Sequence, residues 1–92
     1  MKANSYLMSD SEFSAAVEMI VGGFEKKYNY KLMDVTDMDV DELSEFVKSY
    51  DSMIPNEILV EIENFRMNAS DDAFVYILRT DSEVCGIISV QD

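Results

Sequence analysis

Carboxylates are the reactive side chains that this 92-residue chain carries in quantity. Nineteen Asp and Glu residues stand against seven Lys and Arg, His is absent, and the net charge is −12. Between positions 34 and 63 there are ten acids and one base, Lys48, so these thirty residues carry −9. We call this stretch the acidic segment. Its ten acids, the candidate partner-binding residues, are Asp34, Asp37, Asp39, Asp41, Glu42, Glu45, Asp51, Glu57, Glu61 and Glu63.

Calcium binding is one chemistry that such carboxylates could perform. Asp37, Asp39 and Asp41 reproduce the D-x-D-x-D start of a calcium loop. The next position of such a loop should be Gly and is Glu42, and the twelfth should be Glu and is Lys48. We therefore expect no calcium site and no other metal site.

Catalysis is disfavoured by the residues that are missing. Without His, the commonest general base and the commonest metal ligand are both unavailable. Cys85 has no disulfide partner, which suits a reducing compartment, and its apolar neighbours predict an inert, buried thiol. The chain has no P-loop, no G-x-G-x-x-G and no R/Q-x-x-G-x-G/A segment for coenzyme A, although its elements resemble the first half of a GNAT acyltransferase. We expect neither enzyme activity nor a cofactor.

The first predicted element that positions these groups is a helix beginning at Ser9, because Ser9 and Glu12 form a capping-box pattern. Its apolar stripe is predicted to comprise Phe13, Ala16, Val17, Ile20, Val21, Phe24 and Tyr28. We interpret Gly22 and Gly23 as a point of close packing within that helix. Positive charge favours a helix end, so we assign the basic cluster of Lys26, Lys27 and Lys31 to the end of the helix.

The remaining chain predicts two more helices and a hairpin. Asp39 and Glu42 mark a helix start that leads to about Asp51, and Pro55 suits the first turn of a third helix that stops by Asn68. Alternation near Tyr30 predicts a short strand, and β-branched and aromatic residues at 73–90 predict a hairpin around a polar turn. The hairpin needs helices or a further strand, from residues 5–8 or from a second chain. We predict one α+β domain, residues 1–92, of about three amphipathic helices packed on a small antiparallel sheet with a C-terminal hairpin.

The spacing of the helical acids points to nucleic-acid mimicry. Asp41 and Glu45 are four residues apart, as are Glu57 and Glu61, which separates each pair by about 6 Å along a helix axis. This distance is comparable with the spacing of neighbouring phosphates on one nucleic-acid strand. Like charges at this spacing destabilise a helix by a few tenths of a kcal/mol. The acids therefore act either as a phosphate-like array or as a solvated acidic face, and composition leaves both open.

A histidine-free, strongly acidic domain of this length resembles the Arn anti-restriction proteins of T-even bacteriophages. The resemblance rests on length, charge and the acidic segment. It implies a DNA mimic that occupies the DNA-binding surface of the host McrBC restriction enzyme, so that phage DNA with modified cytosine is spared. The implied partner is a basic DNA-binding protein in the host cytoplasm, and direct nucleic-acid binding is not expected. Homodimerisation through the hairpin or the first helix would lengthen the acidic surface.

Two alternatives remain at the level of sequence. The same mimicry could target a CRISPR effector, a nucleoid protein or a repair enzyme, or the chain could be a small acidic adaptor that binds through the edge of its hairpin. Residues 1–8 do not form a signal peptide, and no apolar run approaches the roughly 20 residues that cross a bilayer. We therefore expect no membrane association.

Overall fold

The structure of the protein, a computed structural model, describes residues 1–23, 26–27 and 29–92. Its helices and strands, in chain order, are β1 (Lys2–Tyr6), α1 (Asp10–Gly22), β2 (Lys26–Lys27), β3 (Tyr30–Asp34), α2 (Val40–Tyr50), α3 (Asn56–Asn68), β4 (Phe74–Arg79) and β5 (Val84–Gln91). This arrangement confirms the predicted α+β class, with three helices packed on a small antiparallel sheet and a hairpin at positions 74–91.

The sheet has the strand order β1-β5-β4-β3-β2, and every neighbouring pair is antiparallel. The hairpin of β4 and β5 therefore lies inside the sheet, with β1 along β5 and β3 along β4. The adaptor that binds through a hairpin edge stays a prediction; in the structure β1 and β3 already pair with the two outer sides of the hairpin.

Helices cover both faces of the sheet. On one face, α1 places Ala16 and Met19 against Leu78, Ile88 and Val90. On the other face, the buried residues of α2 and α3 pack against β4 and β5 and build the larger core. That larger core comprises Val35, Leu43, Val47, Leu59, Ile62, Val75, Ile77, Val84 and Ile87. The two helices of the acidic segment thus share one layer, opposite α1.

A β-bulge at Cys85 sets the orientation of the last strand. Leu78 pairs with Gly86 and Arg79 pairs with Val84, so Cys85 has no partner on β4. An inserted residue reverses the alternation of side chains beyond it. As a result Val84 and Ile87, three residues apart, both face the core under α2 and α3.

The predicted helix starts at Ser9 and Asp39 are confirmed. The backbone N–H of Glu12 donates to Oγ of Ser9 at 3.2 Å, and that of Glu42 donates to Oδ1 of Asp39 at 2.8 Å. Both Glu side chains accept a hydrogen bond in return from the backbone N–H of the capping residue. Pro55 precedes α3 as its capping residue and makes no side-chain cap.

The predicted course of the first helix beyond Val21 is wrong. The helix ends at Gly22, and Gly23 is its C-terminal cap with φ 72°, a left-handed conformation that glycine adopts without steric cost. An added Cβ at Gly23 would meet nothing within 4 Å, so the residue does not mark close packing. Val21 is 71% exposed and does not belong to the buried stripe. Two further predicted stripe residues, Phe24 and Tyr28, lie outside the described residues.

The basic cluster does not end a helix. Lys26 and Lys27 form the short strand β2, and Lys31 lies in β3. The Nζ atom of Lys31 forms an ion pair with Oδ1 of Asp81 at 2.9 Å. A pair of glycines is compatible with close packing inside a helix and also with the end of a helix. Here Gly23 caps α1 in the left-handed conformation, so the helix ends before the lysines.

Candidate functional site

The solvent side of α2 and α3 carries the central carboxylates of the acidic segment. Leu43 and Val47 of α2 and the corresponding buried residues of α3 face the sheet. Side chains half a turn away must then face water. Asp41 and Glu45 lie there on α2 and are exposed, and Glu57 and Glu61 are exposed on α3.

The loop before α2 is fixed to the sheet by backbone and hydroxyl hydrogen bonds. The N–H of Val35 donates to the carbonyl oxygen of Val75 at 2.9 Å, and Oγ1 of Thr36 accepts from the N–H of Val75 at 2.9 Å. Asp34 accepts from both the N–H and the Oγ1 of Thr36, at 2.9 and 2.6 Å. This anchoring determines where α2 begins, and with it the position of the exposed Asp37.

The ten predicted site residues fall into three groups by environment. Asp34, Asp39 and Glu42 are exposed but hydrogen-bonded to their own loop or helix start. Asp51 and Glu63 are partly buried. The other five are exposed and accept no hydrogen bond from the described part of the chain, and we call them the outward carboxylates: Asp37, Asp41, Glu45, Glu57 and Glu61.

Glu63 is not grouped with its predicted neighbours. It follows Glu61 by two residues, which is a rotation of about 200° around a helix of 3.6 residues per turn. Its partial burial is consistent with a position near the flank that meets the sheet. The structure therefore places Glu57 and Glu61 together and Glu63 on another side of α3.

Within the described residues, the carboxylates of the acidic segment form no close ion pair with a base. None of its ten carboxylates lies within 4.0 Å of a Lys or Arg nitrogen of the described chain. Lys48 is exposed on α2 without such an ion pair. The carboxylates on the solvent side of these helices outnumber the exposed base that the described residues place there, Lys48, so this surface is negative.

Two arginines that sequence reasoning missed point inward in the same region. Arg79 is 9% exposed, its guanidinium lies 4.0 Å from the ring centroid of Tyr50, and its Nη1 donates to the carbonyl oxygen of Thr80 at 2.9 Å. Arg66 is partly buried and donates through Nη2 to the carbonyl oxygen of Thr36 at 3.0 Å. These cations contact a ring and backbone oxygens, and neither forms an ion pair with a described carboxylate of the acidic segment. In the sequence, the signal for the burial of Arg79 was its position at the end of an otherwise apolar strand pattern.

The D-x-D-x-D pattern does not circle an ion. Asp39 is the capping residue of α2 and Asp41 lies in its first turn. In the described residues, no cluster of three Cys, Asp or Glu side chains is arranged to hold a metal ion.

Cys85 is partly buried beside the start of α1. Burial, and then the negative charge and hydrogen bond of the Glu12 carboxylate, raise the pKa of its thiol to about 11. The thiol form is therefore strongly favoured at neutral pH.

Labelling of Cys85 tests this environment. At pH 8 the thiolate fraction of a thiol with pKa 11 is about 0.1%, so we expect Ellman's reagent to label the folded protein about 100-fold more slowly than the urea-unfolded protein. The measurement is the rate of absorbance change in each state. Equal rates in the two states would contradict the structure around Cys85.

None of the described helices has the length and apolar character needed to span a membrane. Comparison of the chain with models of protein families, with curated protein sequences and with solved structures finds no match.

Proposed function

We propose that this protein is a DNA-mimic inhibitor. In this proposal it occupies the DNA-binding surface of a modified-cytosine-dependent host restriction enzyme of the McrBC type and so protects phage DNA. The observation that carries the proposal is the set of outward carboxylates, four on two neighbouring helices and Asp37 in the loop before α2, none of which forms an ion pair with a base of the described chain. The target is suggested by the resemblance to the Arn proteins in length, charge and acidic segment.

The spacing of the outward carboxylates supports imitation of a phosphate backbone. Within each helix, Asp41 and Glu45 or Glu57 and Glu61 stand about 6 Å apart along the axis. Packed helices lie about 8–10 Å apart, so the two pairs form neighbouring rows. Lys and Arg side chains that normally contact successive phosphates would meet successive carboxylates here.

The packing of this layer against the sheet supports tight binding. Leu43, Leu59 and Ile62 anchor α2 and α3 to the sheet, and the capping box of Asp39 and Glu42 holds the start of α2. Charges held in place before binding lose less conformational entropy when the complex forms. The mutual repulsion of these acids destabilises the helices slightly, so an acidic binding surface accounts for their arrangement better than stability does.

The mechanism is competitive and involves no chemical step. Complementary charge accelerates association and makes it sensitive to ionic strength, because salt screens exposed charges beyond about 10 Å at 0.1 M. Inhibition of the nuclease should therefore weaken as salt rises, at concentrations where the nuclease itself still binds its substrate.

Reversing two outward carboxylates, Glu45→Lys and Glu61→Lys together, is expected to raise the concentration needed for half-maximal inhibition on the order of 100-fold. Each reversal replaces an attraction by a repulsion, and close charge pairs between proteins are coupled by about 1.5 kcal/mol or more. The assay is cleavage of methylcytosine-containing DNA by McrBC over a titration of inhibitor, with circular dichroism to verify folding.

The matched control reverses two exposed acids outside the acidic segment, Asp71→Lys and Glu83→Lys. Both double variants change the net charge from −12 by +4, to −8. The proposal requires the control to inhibit almost like the original protein. Equal losses in the two variants would mean that total charge, not position, is responsible. Failure of the original protein to inhibit McrBC, with inhibition of another DNA-binding protein, would retain mimicry and reject the target.

A further inference from the structure

Among the described residues, the sheet face beneath α1 is left partly open near the end of that helix. A groove of about 480 Å³ lies there, beyond the last turn of α1 and over the ends of β4 and β5. Its apolar walls come from Met1, Ile20, Phe74, Tyr76 and Val90. A groove of this size is comparable with sites that hold a few side chains or a small ligand.

Phe74 is the exposed apolar residue of this groove. It is 56% exposed although it begins a strand whose other residues are largely covered, and Met1 beside it is 63% exposed. Phe74 pairs with Val90, which is only 5% exposed and packs in the core under α1. The groove is therefore continuous with the core, and an inserted apolar side chain would extend that core across Phe74.

The rim of the groove is acidic. Asp72 and Asp92 line it, and none of its described lining residues is Lys or Arg. Asp34 is the register partner of Tyr76, and burial together with the charge of Asp34 raises the pKa of the Tyr76 hydroxyl. An apolar floor bordered by carboxylates is complementary to an apolar side chain flanked by cations.

We propose that this groove docks a segment of a partner protein in which one aliphatic or aromatic side chain is flanked by Lys or Arg. The apolar side chain would contact Phe74 and Val90, and the flanking cations would pair with Asp72 and Asp92. A second copy fits less well, because a symmetric contact would place acidic rim against acidic rim on a protein of charge −12. Anionic lipid is disfavoured by the same charge.

This inference does not depend on DNA mimicry. The outward carboxylates lie on α2, on α3 and in the loop before α2, whereas the groove opens on the opposite, α1-covered face. A partner could use either surface alone.

Selection from a phage-displayed library of random dodecapeptides tests the proposal. We expect the immobilised protein to enrich peptides with an aliphatic or aromatic residue between Lys or Arg residues. A synthetic peptide from that selection is then titrated by fluorescence anisotropy. Phe74→Thr should weaken its binding about tenfold or more, as expected for loss of an aromatic contact at the centre of an interface. Val60→Thr, at an exposed apolar residue of α3, should leave it unchanged.

The rim is tested separately by Asp72→Lys with Asp92→Lys, which alters exposed residues only. This variant should also weaken binding about tenfold or more through the lost charge pairs, and circular dichroism should show an unchanged fold. The proposal is overturned if no such peptides are enriched, or if their binding survives both groove variants. Self-association that Phe74→Thr abolishes would also overturn it, because the occupant would then be a second copy.

Discussion

Gly86→Ala is expected to lower the free energy of unfolding by about 3 kcal/mol, at the upper end for overpacking of a core. A Cβ at this position would lie 2.5 Å from the carbonyl oxygen of Tyr6 and 2.7 Å from Cγ of Met8. The Tyr6 oxygen belongs to the backbone at the end of β1 and cannot rotate away. Relief would require the β1–α1 connection to lift from β5, which would disrupt the pairing of Tyr6 with Ile87.

The connection that crosses Gly86 already contains strain. Leu7 adopts φ 77°, a left-handed conformation that costs a residue with a side chain roughly 1–2 kcal/mol. The chain makes this sharp turn directly over the glycine, so neither position has freedom to absorb an added methyl group. Close approach of two backbones, rather than a need for positive φ, is the reason for glycine at position 86.

The control for this prediction is Gly23→Ala. Gly23 has positive φ and open space around a Cβ, so alanine there should cost about 1 kcal/mol, from backbone conformation alone. Urea denaturation followed by circular dichroism measures both variants. Equal destabilisation by the two substitutions would contradict the close packing of β1 over Gly86.

Ile62→Ala is expected to lower the free energy of unfolding by about 3 kcal/mol, because it leaves a cavity between α3 and the sheet. Ile62 is 0% exposed and belongs to the core that holds both acidic helices. A chain of this length has a total stability of roughly 5–14 kcal/mol, so the loss is a large fraction of it. Because α3 carries Glu57 and Glu61, a loosened α3 should also weaken any inhibition that depends on those carboxylates.

Val60→Ala provides the matched comparison on the same helix. Val60 is 48% exposed, two residues from Ile62 and on another side of α3. Substitutions at such surface positions usually change stability by about 0.5 kcal/mol or less. Thermal and urea denaturation of the two variants should differ clearly. Similar stabilities would mean that α3 does not pack on the sheet through Ile62.

The elements that sequence reasoning predicted well are those specified by neighbouring residues. The Ser9–Glu12 and Asp39–Glu42 patterns each satisfy backbone groups within one helical turn, so their signal is local and complete. The polar turn between two β-branched runs likewise specified the hairpin. The extension of α1 past Gly22 failed because two glycines are compatible with both a packed helix and a helix end, and short-range spacing does not distinguish them.

The candidate site was predicted in part for the same reason. Helical spacing suffices to place Asp41 with Glu45 and Glu57 with Glu61, since both pairs lie within one turn. It could not show that Asp51 and Glu63 are partly buried, or that Arg66 and Arg79 turn away from the acids. Those outcomes depend on the sheet and on Tyr50, which are distant in sequence.

By itself, the sequence determined the net charge, the absence of histidine, the first two helix starts and the hairpin. Each of these follows from composition or from residues within a few positions of one another. Only the tertiary structure decided that β1 and β3 enclose the hairpin, that α2 and α3 share a face opposite α1, and that Phe74 is left beside an acidic rim. Such features arise from contacts between segments far apart in the chain, where burial of apolar area and backbone pairing select one arrangement among many that local patterns allow.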